Sequence, residues 1–329
     1  MATMKDVALL ANVSTATVSR TLVKPESVSE TTRLRVEQAV IETGYKINSQ
    51  ARSLRRNETR TVVVVVSDID NPFYSEIIKG IEQEAVANDY LVVLGDASQQ
   101  ERDRIYSELV YTRQADGLIL LGVPLPKPLK AKLNSSLPPL VMACEYEPDR
   151  KLPTVGIDNR AAAKEATEYL IKLGHHRIGC VTGMGDNPLT VCRLQGYKEA
   201  LAATNIPFDE QLIVAEAYNP DGGSNAMRYF HSLAEPPTAI FCHADTQAIG
   251  VLHQARSLGI SVPEQLSVMG FDGLPIGSYC FPTLTTILQP RVELGRVTMQ
   301  SLMDSMKGLP ARDRLLPHEL IIRGSVAMR

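Results

Sequence analysis

From Thr61 onward the chain alternates short apolar runs with amphipathic stretches of helix length, and this alternation restricts the possible folds more than any other feature. Thr61–Ile69, Tyr90–Asp96, Gly117–Gly122 and Leu140–Glu145 read as buried parallel strands. A second series follows at Arg177–Gly183, Ile213–Glu216, Ala239–His243 and Leu266–Asp272. Two successive βα series predict two doubly wound lobes, each on a parallel sheet. Ligands of such sheets bind outside the carboxyl ends of the strands, so facing lobes put a binding site in the cleft between them.

The first sixty residues follow a different period. Thr3-Met4-Lys5-Asp6 reads as a capping box, and Met4, Val7, Ala8 and Ala11 then form one apolar helix face. Asn12 breaks that helix, because Asn tolerates the left-handed backbone of a helix end. Ser14 caps a second short helix reaching about Leu22, with Val13 and Val18 as a hydrophobic staple, and Lys24-Pro25-Glu26 closes it. Ser29 caps a third helix with Val36, Ala39, Val40 and Thr43 on one face and Gly44 as its stop. Two short helices across a tight turn, backed by a third, are the helix-turn-helix arrangement, whose second helix enters the major groove. Thr15, Ala16, Ser19 and Arg20 lie off its Val18/Leu22 core face. Arg20 can donate two hydrogen bonds to guanine, and Thr15 and Ala16 offer a hydroxyl and methyls. A small protein-interaction module would show the same periodicity. Charge adds a mild preference: residues 1–60 hold 10 Lys/Arg against 6 Asp/Glu, net +4, and the remainder 24 against 31, net −7.

Met4-Lys5-Asp6-Val7-Ala8 followed by Val13-Ser14-Thr15-Ala16-Thr17-Val18-Ser19-Arg20 resembles the head of the LacI/GalR family of bacterial repressors. The similarity continues through Val28-Ser29, Thr32-Arg33 and Gly44-Tyr45 and along the whole chain. It implies an all-α head over residues 1–47 that places Thr15, Ala16, Thr17, Ser19, Arg20 and Tyr45 on double-stranded operator DNA. It also implies a hinge over 48–60 and a two-lobed α/β effector and dimerisation domain over 61–329, like a periplasmic binding protein. The first lobe is expected at about 61–158 and 290–317, the second at about 159–289 and 318–329. A homodimer follows from one head per half-site of a two-fold operator. No leucine heptad trails the last strand, so no tetramerising tail is expected.

The stretch from Asn48 to Arg60 contains Arg52, Arg55, Arg56 and Arg60, with Ala51 and Leu54 as apolar exceptions. By itself it reads as a solvated linker, since short helices are marginal without packing. In the family this segment folds on the operator and wedges a leucine into the minor groove. The match of Ala51-Arg52-Ser53-Leu54 implies that Leu54 is that wedge, with Asn48 and Arg52 also on the DNA. Ile47 in place of a proline and Gln50 in place of an aliphatic residue depart from the pattern, and predict a hinge that relies less on a formed helix.

At the strand ends stand Asp70-Asn71-Pro72-Phe73-Tyr74, Asp158-Asn159, Arg193-Leu194-Gln195-Gly196-Tyr197, Ala217-Tyr218, Ala244-Asp245 and Phe271-Asp272-Gly273. Asp158, Asp245 and Asp272 would serve as helix N-caps, the better reading for Asp245, and Phe73 or Tyr74 would pack under the next helix. The family resemblance implies instead that Arg193 and Asp272 grip an effector. An Asp accepts two hydrogen bonds from vicinal hydroxyls, and Arg presents a planar donor fork. Tyr74 or Phe73 and Tyr218 would stack on a flat ring, and Asp158 is carried over with them. A narrower resemblance, to nucleoside-responsive members, rests on Arg56-Asn57-Glu58-Thr59-Arg60-Thr61, Phe73-Tyr74-Ser75-Glu76-Ile77-Ile78, the stretch from Pro236 to His243 and that from Glu319 to Ser325. It implies cytidine as effector, nucleoside uptake and breakdown genes as targets, and cooperative binding beside the cAMP receptor protein. Purine-responsive relatives share the Ala-Arg-Ser-Leu hinge, so a purine, or a sugar, is the alternative within the family.

Other classes fit less well. The longest apolar runs, such as Thr61–Val66, are far short of a membrane span, and no apolar leader follows Lys5 and Asp6. The five cysteines are scattered without a C-x-x-C pair, as reduced core cysteines are in a cytoplasmic protein. Gly183-Met184-Gly185 lacks the third glycine of a dinucleotide loop, and no phosphate loop or nucleophile turn is found. His175 and His176 face different directions, which predicts solvated or capping roles rather than a metal site. A cofactor-free repressor is expected. A periplasmic solute-binding protein would need a signal peptide and no head, and an α/β enzyme would need a nucleophile or acid/base pair in the cleft.

Overall fold

The computed structural model describes residues 2–45, 58–97, 114–125, 139–145, 152–185, 187–310 and 312–329. They fall into two compact units, Met1–Thr59 and Arg60–Arg329.

The first unit holds α1 (Met4–Leu10), α2 (Thr15–Val23) and α3 (Glu30–Thr43). Local hydrogen bonds set each boundary. The Asp6 carboxylate accepts from the Thr3 N–H at 2.7 Å and the Thr3 hydroxyl at 2.8 Å, which lowers its pKa. Ser14 Oγ accepts from the Thr17 N–H at 3.0 Å, and Ser29 Oγ from the Thr32 N–H at 3.4 Å. Gly44 ends α3 in the left-handed region, with φ +62°. Val7, Ala8, Ala11, Val18, Val36 and Ala39 make the small core where the helices meet.

The second unit is built on two sheets. The first contains β1 (Thr61–Val66), then, after α4 (Pro72–Ala87), β2 (Leu91–Asp96), β3 (Gly117–Leu121), β4 (Leu140–Ala143) and β5 (Thr154–Ile157). The second begins after α5 (Asn159–Lys172) with β6 (Ile178–Thr182), α6 (Pro188–Ala203), β7 (Ile213–Ala215) and α7 (Pro220–Ser232). It continues through β8 (Ala239–Cys242), α8 (Asp245–Ser257), β9 (Ser267–Asp272) and β10 (Thr285–Leu288). The chain then returns to the first sheet with α9 (Arg291–Met306) and β11 (Arg314–Leu316), and ends in the second with β12 (Glu319–Ile321). The strand orders are β11-β5-β4-β3-β1-β2 and β12-β10-β9-β8-β6-β7.

Val62–Val66, all of β3 and all of β9 are buried, as in strands covered on both faces, and each fully buried Val or Leu contributes about 1.5–3 kcal/mol. The edge strand β2 instead exposes Leu91, Val93 and Leu94. Two expectations need correction. β12 runs antiparallel to β10, so the second sheet is not wholly parallel. The run predicted to Ile69 leaves the sheet at Val66, because the next residues turn into α4, where Asn71 Oδ1 accepts from the Phe73 N–H at 3.0 Å. The helix pairs α4·α9, α5·α6 and α7·α8 cover the sheets. The first pair approaches closely enough that a side chain on Gly80 would strike the Val292 carbonyl, and one on Gly295 the Ile77 carbonyl.

His175 is a further correction. It is buried rather than solvated, its ring meeting the Thr238 hydroxyl at 2.9 Å, the Ser267 hydroxyl at 3.0 Å and the Ala327 carbonyl at 3.1 Å. Gly174 (φ +91°) lies in the turn between α5 and β6, and of the two histidines that follow only His176 is exposed. Among the described residues no helix is long and apolar enough to cross a membrane.

Candidate functional site

On the first unit, α2 buries Val18 and Thr21 and leaves Thr15, Ala16 and Arg20 exposed and Ser19 half-buried. These four line a shallow groove with Met4 and Lys24; Lys24 was not among the predicted residues. Thr17 is half-buried, and its hydroxyl meets that of Ser14 at 2.9 Å, so its side chain is engaged at the helix cap. Tyr45 packs against the unit's core. Asn48, Arg52 and Leu54 lie outside the described residues.

In the second unit the start of α6 gathers several of the polar side chains at the strand ends. Asn187 caps the helix, its Oδ1 accepting from the N–H groups of Leu189 (2.9 Å) and Thr190 (3.3 Å). Its Nδ2 donates to Glu145 Oε2 at 2.6 Å, which joins the second lobe to the carboxyl end of β4 in the first. One turn along, the Thr190 and Tyr218 hydroxyls are 2.8 Å apart. One further turn brings Arg193, 5 % exposed. Its Nε donates to Asn159 Oδ1 at 2.8 Å and a terminal nitrogen donates to the His243 carbonyl. The other terminal nitrogen is 3.9 Å from Asp272 Oδ1, and the guanidinium lies over the Phe271 ring, 3.8 Å from its centroid. Three-residue spacing makes Thr190 and Arg193 neighbours along α6, with Asn187 at its cap.

Asp272 ends β9 with φ +112°, a conformation that costs a non-glycine residue about 1–3 kcal/mol and that the surroundings must enforce. Gln289 Nε2 donates to its Oδ1 at 2.8 Å, and Arg291 donates to its carbonyl. Arg291 in turn donates from Nε to Glu76 Oε2 at 2.7 Å, tying the strand end to α4. Burial pushes the Asp272 carboxyl up to about 6, against the opposing pull of Arg193, Gln289 and Arg291.

Each lobe contributes one tyrosine, laid against a glycine just beyond a strand. The Tyr74 ring abuts Gly122 after β3, and its hydroxyl accepts from Ser67 Oγ at 2.9 Å. The Tyr218 ring abuts Gly183 after β6. Burial raises both phenols, and the charges of Asp272 and Glu145 raise them further, so both are neutral hydrogen-bonding groups.

Tyr74, Arg193, Tyr218 and Asp272 therefore share one neighbourhood. Phe73 lies in the first lobe's core, edge-on to Tyr74 at 5.2 Å. Asp158 is exposed and caps α5, accepting from the Ala161 N–H at 2.9 Å. Asp245 does not cap α8; Ala244 holds that position. Asp245 is fully buried, accepts from the Leu274 N–H and the Thr286 hydroxyl, both at 2.6 Å, and is raised to about 8 by burial and then by the Asp272 charge. From sequence Asn159 was noted only by its place after a strand, and Glu145, Asn187, Gln289 and Arg291 were not picked out. Asn187-Pro188 is a cap signature that would have revealed one of them. Arg291 had no local signal, since its Glu76 partner is 215 residues away. Among the described residues no group of three or more His, Cys, Asp or Glu is placed to hold a metal ion.

Residues 3–48 match the model of bacterial regulatory proteins of the lacI family, and residues 167–326 that of the periplasmic binding protein-like domain. The chain is 49% identical over 327 residues to the HTH-type transcriptional repressor CytR of Escherichia coli (strain K12), covering 98% of this chain and 96% of that one. It is 34% identical over 332 residues to the HTH-type transcriptional repressor PurR of Vibrio atlanticus (strain LGP32), covering 99% of each. The lac repressor dimer bound to operator and the anti-inducer ONPF shares its fold, with a TM-score of 0.90 at 24% identity and 99% coverage of both chains.

Proposed function

As a member of the lacI family of bacterial regulatory proteins this chain is a DNA-binding transcriptional repressor and not an enzyme, and we propose that its effector is a nucleoside, cytidine, held in the cleft between its two lobes. The observation that carries this reading is the buried meeting of Arg193 and Asp272, 3.9 Å apart, beside one tyrosine from each lobe. The vicinal hydroxyls of a ribose are donors suited to the Asp272 carboxylate, and Arg193 is already oriented by Asn159 and the His243 carbonyl. Tyr74 and Tyr218 supply the aromatic surface a base stacks on. The similarity to CytR favours cytidine. The similarity to PurR keeps a purine as the second reading, because the same tyrosines would stack on it.

The repressor acts as a homodimer on a two-fold operator in the cytoplasm, with residues 1–47 as head, 48–60 as hinge and 61–329 as effector and dimerisation domain. Thr15, Ala16, Ser19 and Arg20 read base edges; Thr17, Tyr45, Asn48 and Arg52 position the backbone; Leu54 wedges the minor groove. Its targets are genes of nucleoside uptake and breakdown, where it binds beside the cAMP receptor protein. Whatever effector binding does to operator affinity, operator binding does equally to effector affinity.

The test is a gel shift on a palindromic operator fragment at two salt concentrations, paired with calorimetric titration of cytidine, adenosine, guanine and hypoxanthine. Salt-sensitive operator binding and saturable cytidine binding are expected. Silence for cytidine with binding of a nucleobase would overturn the effector assignment in favour of the purine reading.

A further inference from the structure

Resting on the nucleoside reading, we infer that the Glu145–Asn187 pair reads the base edge of the effector and selects amino nucleosides, cytidine or adenosine, over the oxo nucleosides uridine and inosine. The orientation of Asn187 is determined. Its Oδ1 is committed to two cap N–H groups at the start of α6, so Nδ2 must face Glu145, as the 2.6 Å bond shows. Glu145 is 2 % exposed and follows Cys144, whose φ of +55° turns the chain at the carboxyl end of β4. Its carboxylate is a buried polar group that accepts from Asn187 at the end of β4.

The pair presents a carboxylate acceptor beside an amide donor. A carboxylate has about four acceptor sites and an amide nitrogen two N–H bonds, so each group can make several hydrogen bonds at once. Cytosine carries the complement, an exocyclic amino donor next to the N3 acceptor, and adenine repeats it with N6 and N1. Uracil and hypoxanthine reverse the pattern, setting a carbonyl oxygen against the carboxylate. The position suits this edge, because Asn187 caps α6 and accepts from the Thr190 N–H, the Thr190 hydroxyl holds Tyr218, and Arg193 follows one turn further on. A nucleoside with its ribose at Arg193 and Asp272 and its base along Tyr218 therefore brings its far edge toward Asn187 and Glu145.

The experiment is isothermal titration of the full chain with cytidine, adenosine, uridine, inosine and N4,N4-dimethylcytidine, repeated on Glu145→Gln. We expect wild type to prefer at least one amino nucleoside over its oxo counterpart by roughly 5- to 100-fold, the range for a specific pair of hydrogen bonds to a base edge. Dimethylation, which removes both amino protons, should weaken cytidine by a similar factor. Glu145→Gln, whose amide can turn to donate, should move the ratio toward the oxo nucleoside. The relative strength of cytidine and adenosine distinguishes the two sources of the edge. Equal binding of cytidine and dimethylcytidine by wild type overturns the inference without reliance on any variant. So does a selectivity that survives Glu145→Gln unchanged, and in both cases the nucleoside reading stands. Binding of no nucleoside at all overturns both.

Discussion

The hydroxyl of Tyr74 occupies the space that a side chain on Gly122 would need. Gly122 has φ +65°, and even a methyl group there would strike the phenol. Gly122→Ala is expected to destabilise the second unit by about 2–4 kcal/mol, the left-handed backbone and the overpacking together. In a Tyr74→Ala background only the backbone part, about 1–2 kcal/mol, should remain. Urea denaturation of the four proteins of this double-mutant cycle measures the difference.

Asp272 has a carboxyl raised to about 6, chiefly by burial. A ligand whose hydroxyls donate to it prefers the ionised form, so affinity should rise with pH through about 6 and level off above 7. Well below 6 the loss should approach about tenfold per pH unit. Asp272→Asn should bind weakly and without this dependence. Calorimetry at pH 5, 6, 7 and 8 decides, and a flat wild-type profile would remove Asp272 from the site.

Asp245 is raised to about 8, against about 3.9 in an unfolded chain. The folded state holds this proton more tightly. Its stabilising contribution is thus fully present below about pH 4 and is lost as pH rises toward 8. Relative to wild type, Asp245→Asn should gain roughly 1–4 kcal/mol of stability between pH 5 and 8. Burial pushes His243 well below the ordinary histidine range, so its contribution runs the other way, being lost as pH falls below about 6.5. Comparing the two proteins at each pH cancels that effect. Denaturation midpoints at pH 5, 6.5 and 8 provide the check.

Arg20 and Lys24 share the groove on α2 but should fail differently when truncated. Arg20→Ala is expected to cost about 1–3 kcal/mol on the operator and to relax the preference for guanine at one position. Lys24→Ala should weaken all sequences alike and reduce the salt slope by about one phosphate. Binding to an operator panel at several salt concentrations separates the two, and equal losses on operator and random DNA for Arg20→Ala would exclude it as a base reader.

The residues gathered around Arg193 were partly named from the sequence. Tyr74, Arg193, Tyr218 and Asp272 stand at strand ends or early in the following helices, where an α/β topology brings side chains together. Phe73 and Asp245 stand at equivalent positions but have other partners, Phe73 in the first lobe's core and Asp245 bonded to Leu274 and Thr286. Sequence position cannot separate these cases, because adjacent residues at a helix start face different directions and only the neighbouring elements decide what each of them meets.

Tyr74 and Gly122 mark the same division. The sequence by itself determined the head helices, whose caps are bonds between residues three apart, Thr3 with Asp6, Ser14 with Thr17 and Ser29 with Thr32. It also determined the two βα series, because period and burial are carried by neighbouring residues. Only the tertiary structure decided that β12 runs antiparallel, that His175 is buried against Ser267, 92 residues on, and that Asn187 meets Glu145, 42 residues back. Spacing encodes a contact one turn away; a contact across lobes depends on strand order and on where each crossover returns the chain, which no local pattern specifies.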